Sequence, residues 1–207
     1  MTMGNTNTGV QLYRKKIDST GNYLPFPGYT IVAHATHPLP KPLVELVSYL
    51  SSSELRKYYS FLPTTSYHVT INPLEGVHDE HKELLEQEQG RLKQQDTSLV
   101  GTAQNLLCST IILIEVQLND RNNPNFEQII QDVRSTNLQQ ANILRNYTQS
   151  WHLTLAYPYK DIENNEIKER LYKIIENMPE SAKLPFTIPL EHIRICRYND
   201  MTRFTSI

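Results

Sequence analysis

One phrase occurs twice in this chain. Tyr67-His68-Val69-Thr70-Ile71 and Trp151-His152-Leu153-Thr154-Leu155 both read aromatic, histidine, aliphatic, threonine, aliphatic. Side chains alternate from face to face along a β-strand, so each phrase predicts a strand with His and Thr on one side and apolar residues on the other. The fold must therefore bury the apolar side of two such strands and leave two His-Thr pairs at an open site. One match among 7 histidines is expected by chance in roughly one chain in ten, and two in about one in several hundred. His34-Ala35-Thr36 is a third His-x-Thr, yet His37 and Pro38 follow it. The strand stops there without its second aliphatic arm, and this copy reads as coincidence.

The rest of the pattern alternates strand and helix. Strands are expected over Val10 to Ile17, Tyr29 to Ala35, Tyr67 to Asn72, Leu106 to Leu118, Trp151 to Tyr157 and Phe186 to Tyr198, with Pro189 marking an edge or bulge in the last. Asp18 to Asn22 is turn-rich. Helices are expected from Pro42 (inner face Leu43, Leu46, Val47, Leu50), from His78 to about Gln95, from Asn125 to Leu144 and from Ile162 to Asn177. Met1 to Gly9 is small and polar and reads as a disordered leader. No low-complexity linker divides residues 10–207, which form a single bilobal α+β domain with a weak internal duplication.

Composition narrows the function classes. At 207 residues and 39% hydrophobic content the chain can bury one large core. Its 20 Lys and Arg against 22 Asp and Glu give a formal net charge of -2, so no basic face advertises a long nucleic-acid track. The longest apolar run, Ile111 to Ile114, is far below the roughly 18 residues a membrane helix needs, and the polar start is unlike a signal peptide. A soluble, cytoplasmic monomer without a membrane partner is expected. Cys108 and Cys196 each lie in an apolar stretch outside any CxxC pair, and read as buried free thiols. No GxGxxG or GxxxxGK[ST] phosphate loop is present.

Two His-Thr pairs in one site suit phosphodiester chemistry. An imidazole titrating near pH 6.5 can take a proton from water while a second, kept charged by a phosphate, gives one to the leaving oxygen. Threonine hydroxyls on the same faces would hydrogen-bond the non-bridging oxygens as their charge develops. This scheme needs no metal and no cofactor.

With these motifs the sequence resembles the two-histidine (2H), or LigT-like, phosphoesterase superfamily, from about Gln11 to Arg203. The flanking phrases Leu62-Pro63, Ser66-Tyr67-His68 and Ala156-Tyr157 resemble a little-characterised branch of it. The resemblance implies a pseudo-two-fold fold of two lobes, each with an antiparallel sheet, around a central cleft with outer helices. It implies His68 and His152 as the acid/base pair and Thr70 and Thr154 as phosphate ligands. The implied activity is metal-independent hydrolysis of a 2′,3′-cyclic phosphate, a cyclic nucleotide or dinucleotide, a 2′-5′ linkage or an RNA end. The alternative on the same fold is a module that binds a nucleotide or RNA end without cleaving it, or docks a partner. Which histidine is the base stays open.

Other residues carry weaker signals. Tyr157 ends the second motif strand before Pro158 and is a candidate substrate contact, with plain packing as the alternative. Tyr67 and Trp151 fall on the core side by parity. Arg197 and Arg203 read as solvated charges, and His78 and His81 with Asp79 and Glu83 as an exposed helix face rather than a metal cluster. His192 and Arg194 share a strand face without an assigned role.

Overall fold

A computed structural model describes residues 13–74, 79–108, 110–118, 123–144 and 150–207. The expected leader over residues 1–9 and the start of the first expected strand lie outside them. Nine strands are described: β1 (Gly28–His34), β2 (Tyr59–Phe61), β3 (His68–Leu74), β4 (Leu99–Cys108), β5 (Ile112–Gln117), β6 (His152–Pro158), β7 (Phe186–Leu190), β8 (Arg194–Asp200) and β9 (Arg203–Ser206). All described pairings are antiparallel, in the order β7-β4-β5-β6-β3-β1-β8-β9, with β2 added to β6. The two separate sheets expected from the sequence are therefore halves of one. The motif strands β3 and β6 are its central pair, and they touch through one register pair, Val69 opposite Leu153. A bridge between Ala35 and Leu190 ties the end of β1 to the far edge strand, so the sheet curls.

Five helices are described: α1 (Lys41–Ser52), α2 (Lys82–Leu92), α3 (Phe126–Val133), α4 (Thr136–Gln140) and α5 (Asn165–Glu176). α1 begins with proline in its first turn, and Leu43, Leu46 and Leu50 are fully buried along its inner face. Its Tyr49 hydroxyl donates to the Ile174 carbonyl of α5 at 2.8 Å. α2 follows a 3-10 turn (Asp79–His81) and lies against β8, where buried Gln89 accepts from the Ile195 N–H.

Several expectations are corrected, each for a local reason. The segment expected as a first strand contains a helical turn at Tyr13–Lys16, where the Lys16 and Ile17 amides both donate to the Tyr13 carbonyl. The helix expected over Asn125 to Leu144 breaks before Ser135, whose hydroxyl accepts from the Leu138 N–H and starts α4. Asn164 caps α5 in the same way, so that the helix begins at Asn165, three residues inside the expected start. The strand expected from Phe186 to Tyr198 is two strands on different parts of the sheet. β7 is an edge, which accommodates Pro189, whereas β8 pairs with β1.

The apolar stretch from Leu106 to Leu118 spans both arms of a hairpin, the end of β4 and all of β5, rather than one strand. β4 begins seven residues earlier, at Leu99, and its next inward positions are Gly101 and Ala103, which carry little hydrophobic signal. Gly101 is required by close approach: a Cβ there would stand 2.5 Å from a methyl of Val116 on β5. Valine is stiff at χ1 and cannot easily turn aside. Gly101→Ala is expected to destabilise the fold by about 1–3 kcal/mol. Urea denaturation measures this, and an unchanged midpoint would mean that Val116 rotates away without cost.

Candidate functional site

The antiparallel register through Val69 and Leu153 sets His68 across from Thr154 and Thr70 across from His152. All four side chains are half-buried and line one cavity of about 210 Å³. Tyr67 and Trp151, expected in the core, are 1% and 8% exposed.

Each motif strand carries a bulge at the same place. Against β1, Thr70 pairs with Val32 and Asn72 with Ile31, so Ile71 is an extra residue. Against β5, Thr154 pairs with Leu113 and Ala156 with Ile112, so Leu155 is extra. A bulge reverses the side-chain alternation beyond it. Asn72, which an uninterrupted strand would aim into the cleft, is fully buried, while Pro73 and Tyr157 line the cavity at equivalent places. Tyr157 thus reaches the cleft through a bulge rather than by leaving the strand end. It is also 7% exposed and packed, with its ring 5.1 Å from that of Tyr13 and its hydroxyl 3.7 Å from the Met201 sulfur. Burial raises its phenol pKa, and a side-chain hydrogen bond with Thr154 opposes the rise.

Both histidines are oriented by the same device. Nδ1 of His68 lies 2.7 Å from the Ser66 carbonyl, and Nδ1 of His152 lies 3.4 Å from the Ser150 carbonyl. A carbonyl only accepts, so each Nδ1 carries the proton and Nε2 is the nitrogen turned away from the local backbone. The repeated phrase therefore extends backward to serine in both copies, Ser66-Tyr67-His68 and Ser150-Trp151-His152.

The neighbours differ in charge. The register partner of His68 on β1 is His34, with ring centroids 5.8 Å apart, whereas the partner of His152 on β5 is Glu115. His34, dismissed in sequence as a stray His-x-Thr, is thus beside the site though not in the cavity wall. Burial pushes the His68 imidazole down to about 4; the Ser66 carbonyl works against this, and His34, His152 and Lys16 add to it. His34 is lowered as well, first by burial and then by Arg194.

The remaining wall comes from Leu62, in a flanking phrase of the first motif, and from residues to which the sequence assigned no role: Lys16, Thr30, Tyr198, Met201 and Phe204. Phe204 lies 4.2 Å from His68 and 5.2 Å from Tyr198, centroid to centroid. Gly28 lets Tyr198 lie close against β1, since a Cβ there would meet its hydroxyl oxygen at 2.5 Å. Arg197 and Arg203 are exposed and line a different groove, as expected of solvated charges. Alternation could have flagged Tyr198 and Phe204, each one residue away from those arginines. His192 is 3.6 Å from Asp96, and Arg194 is 2.8 Å from Glu191; neither lines the cavity. His78 lies outside the described residues, and His81 sits beside Glu80. Cys108 and Cys196 are buried free thiols, pushed up to about 12 by burial. No helix among the described residues is long and apolar enough to cross a membrane.

Residues 16–87 match the family model 2H-phosphodiest, described as a domain of unknown function (DUF1868). Uncharacterized protein 127L of Invertebrate iridescent virus 6 is 38% identical over 61 residues, which are 28% of this chain and 26% of that protein. The crystal structure of the conserved protein of unknown function ATU0111 from Agrobacterium tumefaciens str. C58 has the same fold. It superposes with a TM-score of 0.62 at 16% identity, covering 93% of this chain and 89% of that one. The structure of Kluyveromyces marxianus Usb1 aligns over 86% of this chain and 97% of its own at 11% identity, but with a TM-score of 0.39. The first His-x-Thr strand thus lies inside the segment that is similar to the 2H-phosphodiest family, and the second lies beside it at one cavity.

Proposed function

We propose that the protein is a phosphodiesterase that opens a cyclic phosphate or cleaves the terminal phosphodiester of a small nucleotide or RNA end. The observation that carries this reading is that both His-Thr pairs line one cavity, with each imidazole held by a carbonyl at Nδ1. His68 Nε2 takes a proton from water, the water oxygen bonds to phosphorus, and the P–O bond to the leaving oxygen breaks. His152 Nε2 gives its proton to that oxygen. The products are a phosphomonoester and a hydroxyl, and the two histidines then exchange protons with solvent. Thr70 and Thr154 donate to the non-bridging oxygens.

The surroundings support this division of labour. A base must be neutral before reaction, and His68, desolvated and flanked by His34 and Lys16, is disfavoured as a cation. His152 has a carboxylate, Glu115, as its cross-strand neighbour. A cavity of about 210 Å³ has room for a phosphate and part of a nucleoside, which fits a small ligand or a chain end. Tyr157, Tyr198 and Phe204 supply ring surface for the remainder. Every step uses side chains and water, so a bound metal is not part of the proposal. The cytoplasm and a monomeric state are proposed on the same footing.

His68→Ala and His152→Ala are each expected to lower turnover by about 10²–10⁴-fold while circular dichroism shows the fold retained. Turnover should persist in EDTA. A panel of 2′,3′-cyclic mononucleotides, cyclic dinucleotides and 2′-5′ oligoadenylate measures both. Full activity of either variant would overturn the assignment, and binding without turnover across the panel would indicate a non-catalytic module.

The lowered His68 gives two pH expectations. The acid limb of kcat/KM, which reports the free enzyme's base, should lie near pH 4 rather than in the ordinary histidine range. Stability should follow the same group. An unfolded chain takes up a proton on this histidine below about pH 6.5, but the folded one resists until about 4. Stability is therefore full above 6.5 and falls as pH drops toward 4. Urea midpoints at pH 7, 5.5 and 4.5 should show a shallower fall for His68→Asn than for wild type, and equal slopes would contradict the burial effect.

A further inference from the structure

We propose that Lys16 is a phosphate-binding group of the cleft, its ammonium meeting a charged phosphoryl oxygen beside the two threonine hydroxyls. The inference rests on the reading of this cavity as a phosphate site and adds its permanent cation.

Lys16 lines the same cavity as His68 and His152 and is half-buried there. Its nitrogen stands 5.0 Å from the centroid of Phe26 and 5.5 Å from that of Tyr157. It forms no ion pair with a described carboxylate, and no Asp or Glu is among the described residues lining the cavity. The twelve residues that precede Tyr13 contain neither. A chain of net charge -2 thus keeps its acidic groups out of this wall and leaves an ammonium in it.

Withdrawing an ammonium from water without a counter-ion is costly, and ring faces recover only part of that cost. Burial lowers the Lys16 pKa for the same reason. Yet the backbone holds the residue firmly. Its N–H donates to the Tyr13 carbonyl at 2.8 Å, its carbonyl accepts from Leu24 at 2.9 Å, and Arg14 donates to the Tyr159 carbonyl at 3.1 Å. A fixed, desolvated and unpaired cation in a cavity free of carboxylates suits an anion that arrives later. Negative charge on the non-bridging oxygens rises as water attacks phosphorus, and the monoester product carries more still. The hydroxyls bring no charge, and the histidines must exchange protons, so Lys16 is the one constant positive partner among the described wall residues.

The test is calorimetric titration of the full chain with adenosine 2′-monophosphate and with adenosine, for wild type, Lys16→Met and Lys16→Arg. Wild type should prefer the monophosphate. Lys16→Met should lose about ten- to a hundredfold in affinity for it and keep its affinity for adenosine, whereas Lys16→Arg should stay within a few-fold. The melting temperature of Lys16→Met should equal or exceed that of wild type, because an unpaired buried charge is removed. Should Lys16→Met melt early, Lys16→Gln carries the same comparison. Equal affinity of the uncharged variant for the monophosphate, parallel loss of adenosine, or no preference in wild type would each overturn the proposal. If wild type shows that Lys16-dependent preference but hydrolyses no phosphodiester, the catalytic reading fails and the lysine site stands. If wild type hydrolyses a 2′,3′-cyclic nucleotide and Lys16→Met does so with unchanged KM and kcat, the lysine site fails and the catalytic reading stands.

Discussion

Val69 and Leu153, both fully buried, form the one register pair by which β3 meets β6, and the cleft exists because that contact is so short. Backbone groups of two adjacent strands would ordinarily pair along their length. Here β2 takes over the edge of β6 from Ala156 to Pro158, and Leu62 donates to the Leu155 carbonyl, so β6 stays satisfied while β3 turns away toward β1. The gap between the diverging strands is lined by the polar faces of both. The bulges at Ile71 and Leu155 then bring Pro73 and Tyr157 round to the same gap. A pairing defect and two alternation defects thus do the work that a separate loop would do elsewhere.

The two halves match in backbone and differ in charge. Strand order runs outward from the centre as β3-β1-β8-β9 on one side and β6-β5-β4-β7 on the other, and serine carbonyls hold Nδ1 of both histidines. Side chains break the symmetry: His34 on β1 where β5 has Glu115, and Lys16 near His68. The neighbours, not the backbone, thus distinguish the two halves of the site.

The strand pattern and the four motif side chains were legible in the sequence because alternation is local and the phrase repeats. The expected two sheets became one because the joining contact is a single residue pair, which leaves no periodic trace. β4 was half-hidden because Gly101 and Ala103 occupy its inward positions, and the break before α4 was overlooked although Ser135 is a good cap. Lys16, Tyr198 and Phe204 were not found for a different reason. Their membership depends on how distant segments close over the sheet, while Arg197 and Arg203 of the same hairpin line a different groove.

That closure bears on the order in which the molecule is made. The cavity draws on a helical turn at Lys16, two central strands and the β8–β9 hairpin with Phe204. A nascent chain carries both histidine strands well before it carries the aromatic wall, so during synthesis the pair stands exposed on an unfinished sheet. Contacts spanning nearly the whole sequence are slow to form. The site is therefore assembled late, and a chain stalled short of β9 would hold all four motif residues without the pocket that gives them a common target.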